Sequence, residues 1–76
     1  MSFDISKVYV CTKGNDTFEK GDRVAVDKRD GALVSFEGLG WIEAADVENA
    51  VKGAEFVEDT KYSPLYVGSS LSITKK

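Results

Sequence analysis

The chain of 76 residues has no histidine, a single cysteine and a single proline. Without histidine, catalytic triads that use an imidazole and the most common general base are excluded. Cys11 has no second thiol to pair with, and one thiol without histidine does not make a zinc site. No Gly-x4-Gly-Lys-Ser/Thr loop is present, which argues against a nucleotide cofactor. We therefore expect no catalytic residue, no metal and no cofactor, and predict that the protein is not an enzyme.

Targeting and membrane signals are also missing from the sequence. The first residues do not combine a basic segment with the apolar segment of a signal peptide. No apolar run approaches the roughly 20 residues that a membrane-spanning helix needs. Together with the lone thiol, these absences predict a cytoplasmic protein.

What the sequence contains is typical of a small folded protein. Apolar residues make up 42% and charged residues 30% of the chain, more core-forming residues than a disordered segment carries. We predict one small domain over 1–76, in which 5–42 form the strands of a β-barrel, 44–52 a short helix and 56–74 the C-terminal strands.

Negative charge is concentrated in one part of the chain. The whole chain has 13 acidic and 10 basic residues, a net charge of −3. Residues 43–60 hold six acidic residues against Lys52 alone, which is a local net charge of −5. Such a segment is either a solvated face or a surface that attracts a basic partner. Its acidic residues are Glu43, Asp46, Glu48, Glu55, Glu58 and Asp59.

The N-terminal half alternates short strands with turn residues. Ile5 to Thr12 is rich in β-branched and aromatic residues, and we predict a strand in which Cys11 is a small buried hydrophobic residue. The next strand has Val24 and Val26 facing inward, with Arg23, Ala25 and Asp27 facing outward. Turns are predicted at 19–22 and 28–31 and a bend at 38–40, with Phe18 anchored in the core.

The segment after Ile42 carries the spacing of an amphipathic helix. Val47, Ala50, Val51 and Ala54 follow at i, i+3, i+4 and i+7, and Gly53 is placed to end the helix. We predict a helix over 44–52, with Glu43, Asp46 and Glu48 in its first turn, where the helix dipole favours negative charge.

The C-terminal part is expected to form one or two more strands. Leu65 and Val67 alternate with Tyr66, which makes Tyr66 the better candidate for exposure. Trp41 is either an exposed anchor for a partner or, because the core is thin, a buried residue. Pro64 marks a strand edge, since proline cannot donate to a sheet.

The strand and turn order resembles small Src-homology-3-like barrels over roughly residues 7–48. The matching features are Phe18-x-x-Gly21-Asp22-x-Val24 before the hairpin and Gly40-Trp41-Ile42 after it. The resemblance implies a barrel or curled antiparallel sheet. The paired tryptophans of the peptide-binding members are absent, so it does not imply capture of proline-rich peptides. A short chain of this type is similar to accessory proteins of tailed phages.

The Gly-Asp-x-Val step is also similar to KOW-type barrels of translation and transcription factors. That resemblance implies nucleic-acid binding, with Trp41 or Tyr9 as a stacking surface. The basic residues are interleaved with Glu19, Asp22, Asp27 and Asp30, so this set of charges has no net charge. The basic residues of this alternative are Lys20, Arg23, Lys28 and Arg29.

The resulting hypothesis is a non-enzymatic protein–protein interaction module, with a phage-type inhibitor of a host nucleic-acid-handling enzyme as its sharper form. The acidic segment would face a basic groove of that larger partner. The alternatives are the nucleic-acid-binding barrel and a structural protein that self-assembles through the edge after Pro64. The predicted partner-binding residues are Glu43, Asp46, Glu48, Glu55, Glu58, Asp59, Trp41 and Tyr66.

Overall fold

The structure is a computed structural model that describes residues 3–35, 40–67 and 70–75, without the side chains of Val67 and Ser70. It contains seven strands and one helix in these ranges. In chain order they are β1 (Val8–Lys13), β2 (Arg23–Val26), β3 (Leu33–Ser35), β4 (Gly40–Ile42), α1 (Ala44–Val51), β5 (Glu55–Glu58), β6 (Tyr62–Val67) and β7 (Ser70–Lys75).

The strands form two antiparallel sheets. Five of them pair in the order β4-β3-β2-β1-β5, and β6 pairs with β7 in a separate hairpin. The predicted fold class is confirmed: the protein is mainly β, with a five-stranded antiparallel sheet and one short helix. The relationship to Src-homology-3-like barrels stays a prediction.

One face of the five-stranded sheet packs against the helix. Cys11, Val24 and Leu33 are almost completely buried there together with Phe18, which confirms Phe18 and Cys11 as core residues. The helix contributes Val51 to this cluster, with Val47, Ala50 and Ala54 packed around it. We call this side of the sheet the helix face. The apolar residues that α1 and Ala54 bring to this face are those that the i, i+3, i+4, i+7 spacing predicts.

The hairpin β6–β7 covers the opposite side, the hairpin face. Val8 and Ala25 are buried there against Ile73. The expectation that Ala25 and Asp27 face solvent is wrong, since their exposed fractions are 0% and 2%. Strand β2 lies in the middle of the sheet with an element on each side, so both sets of alternating side chains are buried.

The predicted turns are in place where the structure describes them. Gly21 and Gly31 have φ values of +98° and +76°, a region that favours glycine. Gly31 N–H donates to the Asp27 carbonyl oxygen at 2.9 Å, which closes the turn between β2 and β3. Of the predicted bend at 38–40, residues 38 and 39 lie outside the described residues.

Candidate partner-binding surface

Trp41 is an exposed aromatic residue on the edge strand β4. It pairs with Val34, which in turn pairs with Ala25, so all three side chains lie on the hairpin face. The hairpin packs on Ala25, but Trp41 keeps 47% of its surface exposed. The interpretation of Trp41 as a buried core residue is therefore wrong, and its interpretation as an exposed residue holds. Tryptophan is one of the residue types that are enriched in the hot spots of protein interfaces.

Three acidic residues lie at the N-cap of the helix and within it, shortly after Trp41 in the chain. Glu43 is the N-cap residue, Asp46 lies in the first turn and Glu48 lies in the middle of α1 rather than in its first turn. All three side chains are exposed, and none forms an ion pair with another described residue. Glu43 and Asp46 are favoured by the positive end of the helix dipole, and their carboxylates stay free to meet a partner's cations.

The other three acidic residues of the predicted segment are arranged differently. Asp59 binds Arg23 at 3.1 Å with only 12% of its side chain exposed, and Glu58 pairs with Lys7 at 3.3 Å. Glu55 is exposed at the start of β5, separated from the helix by Lys52 to Ala54. The predicted acidic segment is thus divided: its helical part is unpaired among the described residues, whereas Glu58 and Asp59 serve the fold.

Tyr66 is not an exposed anchor, so that prediction is wrong. Its hydroxyl oxygen lies 2.5 Å from the Val26 carbonyl oxygen and 2.9 Å from the Ile5 carbonyl oxygen. Burial, with a smaller effect of the Asp27 carboxylate, raises the pKa of the Tyr66 phenol, so it remains a neutral donor. Leu65 faces outward instead, with 45% exposure.

The basic residues proposed for nucleic-acid binding are mostly engaged inside the protein. The Arg23 guanidinium lies 4.2 Å above the Tyr62 ring in addition to its ion pair with Asp59. The Lys28 ammonium lies 4.5 Å above the Tyr66 ring. Strand β6 therefore runs along β2, with one cation–π contact near each end of β2. Both side chains therefore contact the hairpin, and Lys28 remains exposed to solvent.

Arg29 binds a buried carboxylate in the turn after β2. Its Nη2 lies 2.9 Å and its Nε 3.2 Å from the two oxygens of Asp27, a bidentate pair. These bonds, followed by the backbone N–H of Arg29, hold the pKa of Asp27 below its ordinary value. Lys20 and Lys28 are exposed turn residues with no ion pair among the described residues, and Lys28 makes a cation–π contact.

Sequence reasoning missed a groove beside the helix. Its floor is formed by Val26 and Leu33, and its volume is about 420 Å³. Phe3 and Ile5 line one side of it, and no pattern in the sequence predicts that this N-terminal segment lies opposite α1. The helix side carries Ala44, Val47 and Glu48.

Strand β6 does not leave an isolated edge after Pro64. Pro64 pairs with Ile73 in the hairpin, and Tyr66 pairs with Leu71. The edge proposed for self-assembly is therefore paired with β7 on one side.

The described residues lack the features of a metal site and of a membrane-spanning helix. They include no group of three or more His, Cys, Asp or Glu side chains suited to a metal ion. They also include no helix with the length and hydropathy of a membrane span.

Comparison with known proteins does not assign the chain to a family. No protein-family model matches it, and no curated protein or solved structure is significantly similar to it.

Proposed function

We propose that the protein is a non-enzymatic interaction module that binds a larger protein through Trp41 and the acidic side of α1. The observation that carries this proposal is the exposure of Trp41, 47%, on an edge strand. A large aromatic side chain left outside a thin core loses hydrophobic stabilisation that a partner restores when it covers the ring.

The unpaired carboxylates that follow β4 at the start of α1 support a partner with a basic surface. Glu43 and Asp46 stand at the N-terminal end of α1, directly after β4. Charges at the rim of an interface mainly raise the association rate and select a partner of opposite sign. A basic groove of a nucleic-acid-handling enzyme fits this requirement, and occupation of that groove would inhibit the enzyme, as a phage-type inhibitor does.

The first test is capture of the partner from a lysate of the cells in which the protein occurs, with and without nuclease. We expect one protein to be retained near stoichiometry after nuclease treatment. Trp41→Ala should weaken its binding about 30-fold, which corresponds to the roughly 2 kcal/mol of an interface hot spot. Leu65→Ala is the matched control, since Leu65 is equally exposed but lies on the outer side of the hairpin.

Either of two results would contradict the proposal. Loss of all retained material on nuclease digestion would favour the nucleic-acid-binding barrel. Equal binding by the wild type and Trp41→Ala would show that Trp41 is not part of the interface.

The charge contribution is tested by reversing two helical carboxylates together, Glu43→Lys with Asp46→Lys. We expect slower association with the captured partner and a weaker dependence of affinity on salt. The control reverses Asp16 and Glu19, two exposed acidic residues of the loop between β1 and β2, and changes the net charge equally. If both double variants behave alike, net charge rather than the helical surface attracts the partner.

A further inference from the structure

The groove beside α1 is an apolar depression with one charged residue on its wall. Val26 and Leu33 at its floor are 7% and 1% exposed, so the floor belongs to the core of the protein. Phe3 is held on one side by edge-to-face contact with Tyr9, with ring centroids 5.0 Å apart. The part of the wall that Phe3 forms is therefore fixed by aromatic packing.

The end of the groove is set by close approach of the helix to the turn after β2. A Cβ atom built on Gly31 would lie 3.7 Å from the Ala44 Cβ atom, in van der Waals contact. Ile5, which is 53% exposed, lies on the wall of the groove that faces the helix. The volume of about 420 Å³ lies in the range of roughly 300–1,000 Å³ that is usual for binding pockets.

Glu48 gives this groove its chemical preference. It is the one charged side chain lining the groove among the described residues. Lys52, four residues further along the helix, is the neighbour expected to neutralise it, but no ion pair with Lys52 or another described residue is formed. An occupant that fills the apolar floor and brings a cation to the rim satisfies both features.

We propose that the groove binds a segment of a partner protein in which a bulky aliphatic side chain stands next to lysine or arginine. The aliphatic side chain covers Val26 and Leu33, and the cation pairs with Glu48. This site rests on the proposed function for its partner class and adds a second point of contact, separate from Trp41.

The test uses capped tetrapeptides and the amide spectrum of the 15N-labelled full chain. The first peptide has leucine next to lysine between two alanines; in the second, glutamine replaces lysine, and in the third, glycine replaces leucine. We expect saturable shifts of the Gly31, Ala44, Val47 and Glu48 amides with the first peptide. Affinity should fall about two- to fivefold with the glutamine peptide, as for other exposed ion pairs, and binding of the glycine peptide should be lost.

Variants of the groove separate binding there from binding elsewhere. Ala44→Leu extends a side chain into the closed end of the groove and should abolish the shifts. Ala45→Leu makes the same change at an exposed helical position that does not line the groove, and should leave them unchanged. Glu48→Gln should make the lysine and glutamine peptides bind equally, whereas Glu55→Gln should preserve the difference.

Three results would overturn the proposal. One is the absence of saturable shifts at the groove amides, and another is binding that survives Ala44→Leu. The third is a change of the same amides with protein concentration in the absence of peptide, which would identify the occupant as a second copy of the chain.

The groove and the proposed function fail separately. If the peptide binds but no protein is captured, the groove proposal is supported and the interaction module as stated is refuted. If Trp41→Ala abolishes capture and Ala44→Leu leaves it unchanged, the interaction module is supported and the groove is not part of its interface.

Discussion

At the scale of single residues, Asn15 has the most completely used side chain in the described structure. Its amide nitrogen donates to the carbonyl oxygens of Ala50 and Lys52, both at 2.8 Å. Its amide oxygen accepts from the backbone N–H groups of Thr17 and Phe18 at 2.8 and 2.7 Å. Asn15 therefore orders its own loop and satisfies carbonyl groups at the end of α1, which otherwise lack partners. Asn15-Asp16-Thr17 matches a glycosylation signal, but a glycan would leave this nitrogen one hydrogen, so the two bonds to the helix could not both be kept.

Substitution of Asn15 should separate the roles of its donors and acceptor. Asn15→Ala loses all four hydrogen bonds and should lower the free energy of unfolding by about 2 kcal/mol. Asn15→Asp keeps the acceptor but turns a carboxylate toward two carbonyl oxygens, so we expect a larger loss. Thermal unfolding followed by circular dichroism measures both. An Asp variant as stable as the wild type would show that the bonds to α1 contribute nothing.

Asp27 makes stability depend on pH in a defined direction. Because Arg29 lowers the pKa of Asp27 in the folded protein, the unfolded chain takes up its proton first as the solution is acidified. The stabilisation is therefore complete above the unfolded pKa of about 3.9 and is lost as the pH falls through the lower folded value.

The check compares the melting temperatures of the wild type and Asp27→Asn between pH 7 and pH 2. We expect a gap that is constant down to about pH 5 and narrows below about pH 4, around the ordinary pKa of an aspartate. Asp16→Asn, at an exposed loop position, serves as the control and should show no gap. A gap for Asp27→Asn that does not change with pH would show that the ion pair is not its origin.

At the scale of elements, the hairpin β6–β7 depends on side chains for its attachment to the larger sheet. Tyr66 reaches across to backbone oxygens of two other segments, while Tyr62 lies under Arg23. Because a hydroxyl has one proton, it serves the Val26 and Ile5 oxygens in turn. This one side chain thus connects the hairpin, β2 and the N-terminal segment.

Tyr66→Phe removes the hydroxyl that bonds to the Val26 and Ile5 carbonyl oxygens and should weaken the attachment of the hairpin without creating a cavity. We expect a loss of about 1 kcal/mol, the usual net value of one hydrogen bond, and faster hydrogen exchange in β6 and β7 than elsewhere. Leu65→Ala removes a neighbouring exposed side chain and should change stability by less than about 0.5 kcal/mol. Equal exchange in the wild type and Tyr66→Phe would show that the Tyr66 hydroxyl does not hold the hairpin, which would leave the packing of Ile73 and the Arg23–Tyr62 contact.

Local patterns predicted the helix and the turns, but not which strand faces were covered. The helical stripe ending at Gly53 and the turn at Gly31 depend on neighbouring residues, so the sequence contains their signal. Alternation separates Tyr66 from Leu65 but does not say which side meets the sheet, and the two were assigned the wrong way round. The burial of Asp27 depends on a hairpin that begins 35 residues later, at Tyr62.

At the scale of the whole molecule, the predicted site residues divide into two groups. Trp41 and the carboxylates Glu43, Asp46 and Glu48 are available to a partner. Glu55 and Lys20 are exposed as well, and the remaining ones make ion pairs, hydrogen bonds or cation–π contacts within the protein. Sequence reasoning did not separate these groups, since an ion pair such as Arg23 with Asp59 joins positions 36 residues apart. The charge of −5 on residues 43–60 therefore overstates the negative surface that a partner meets.

The separation of the two sheets implies a way for the protein to open in part. No strand of the hairpin pairs with a strand of the five-stranded sheet among the described residues, so backbone hydrogen bonds do not tie the two sheets together. The hairpin can therefore detach as one cooperative unit while β1 to β5 keep their ladder. Detachment uncovers Val8 and Ala25, extending the apolar surface around Trp41 across the middle of the sheet. Such an opened form would be the species most exposed to proteases and to aggregation at high concentration.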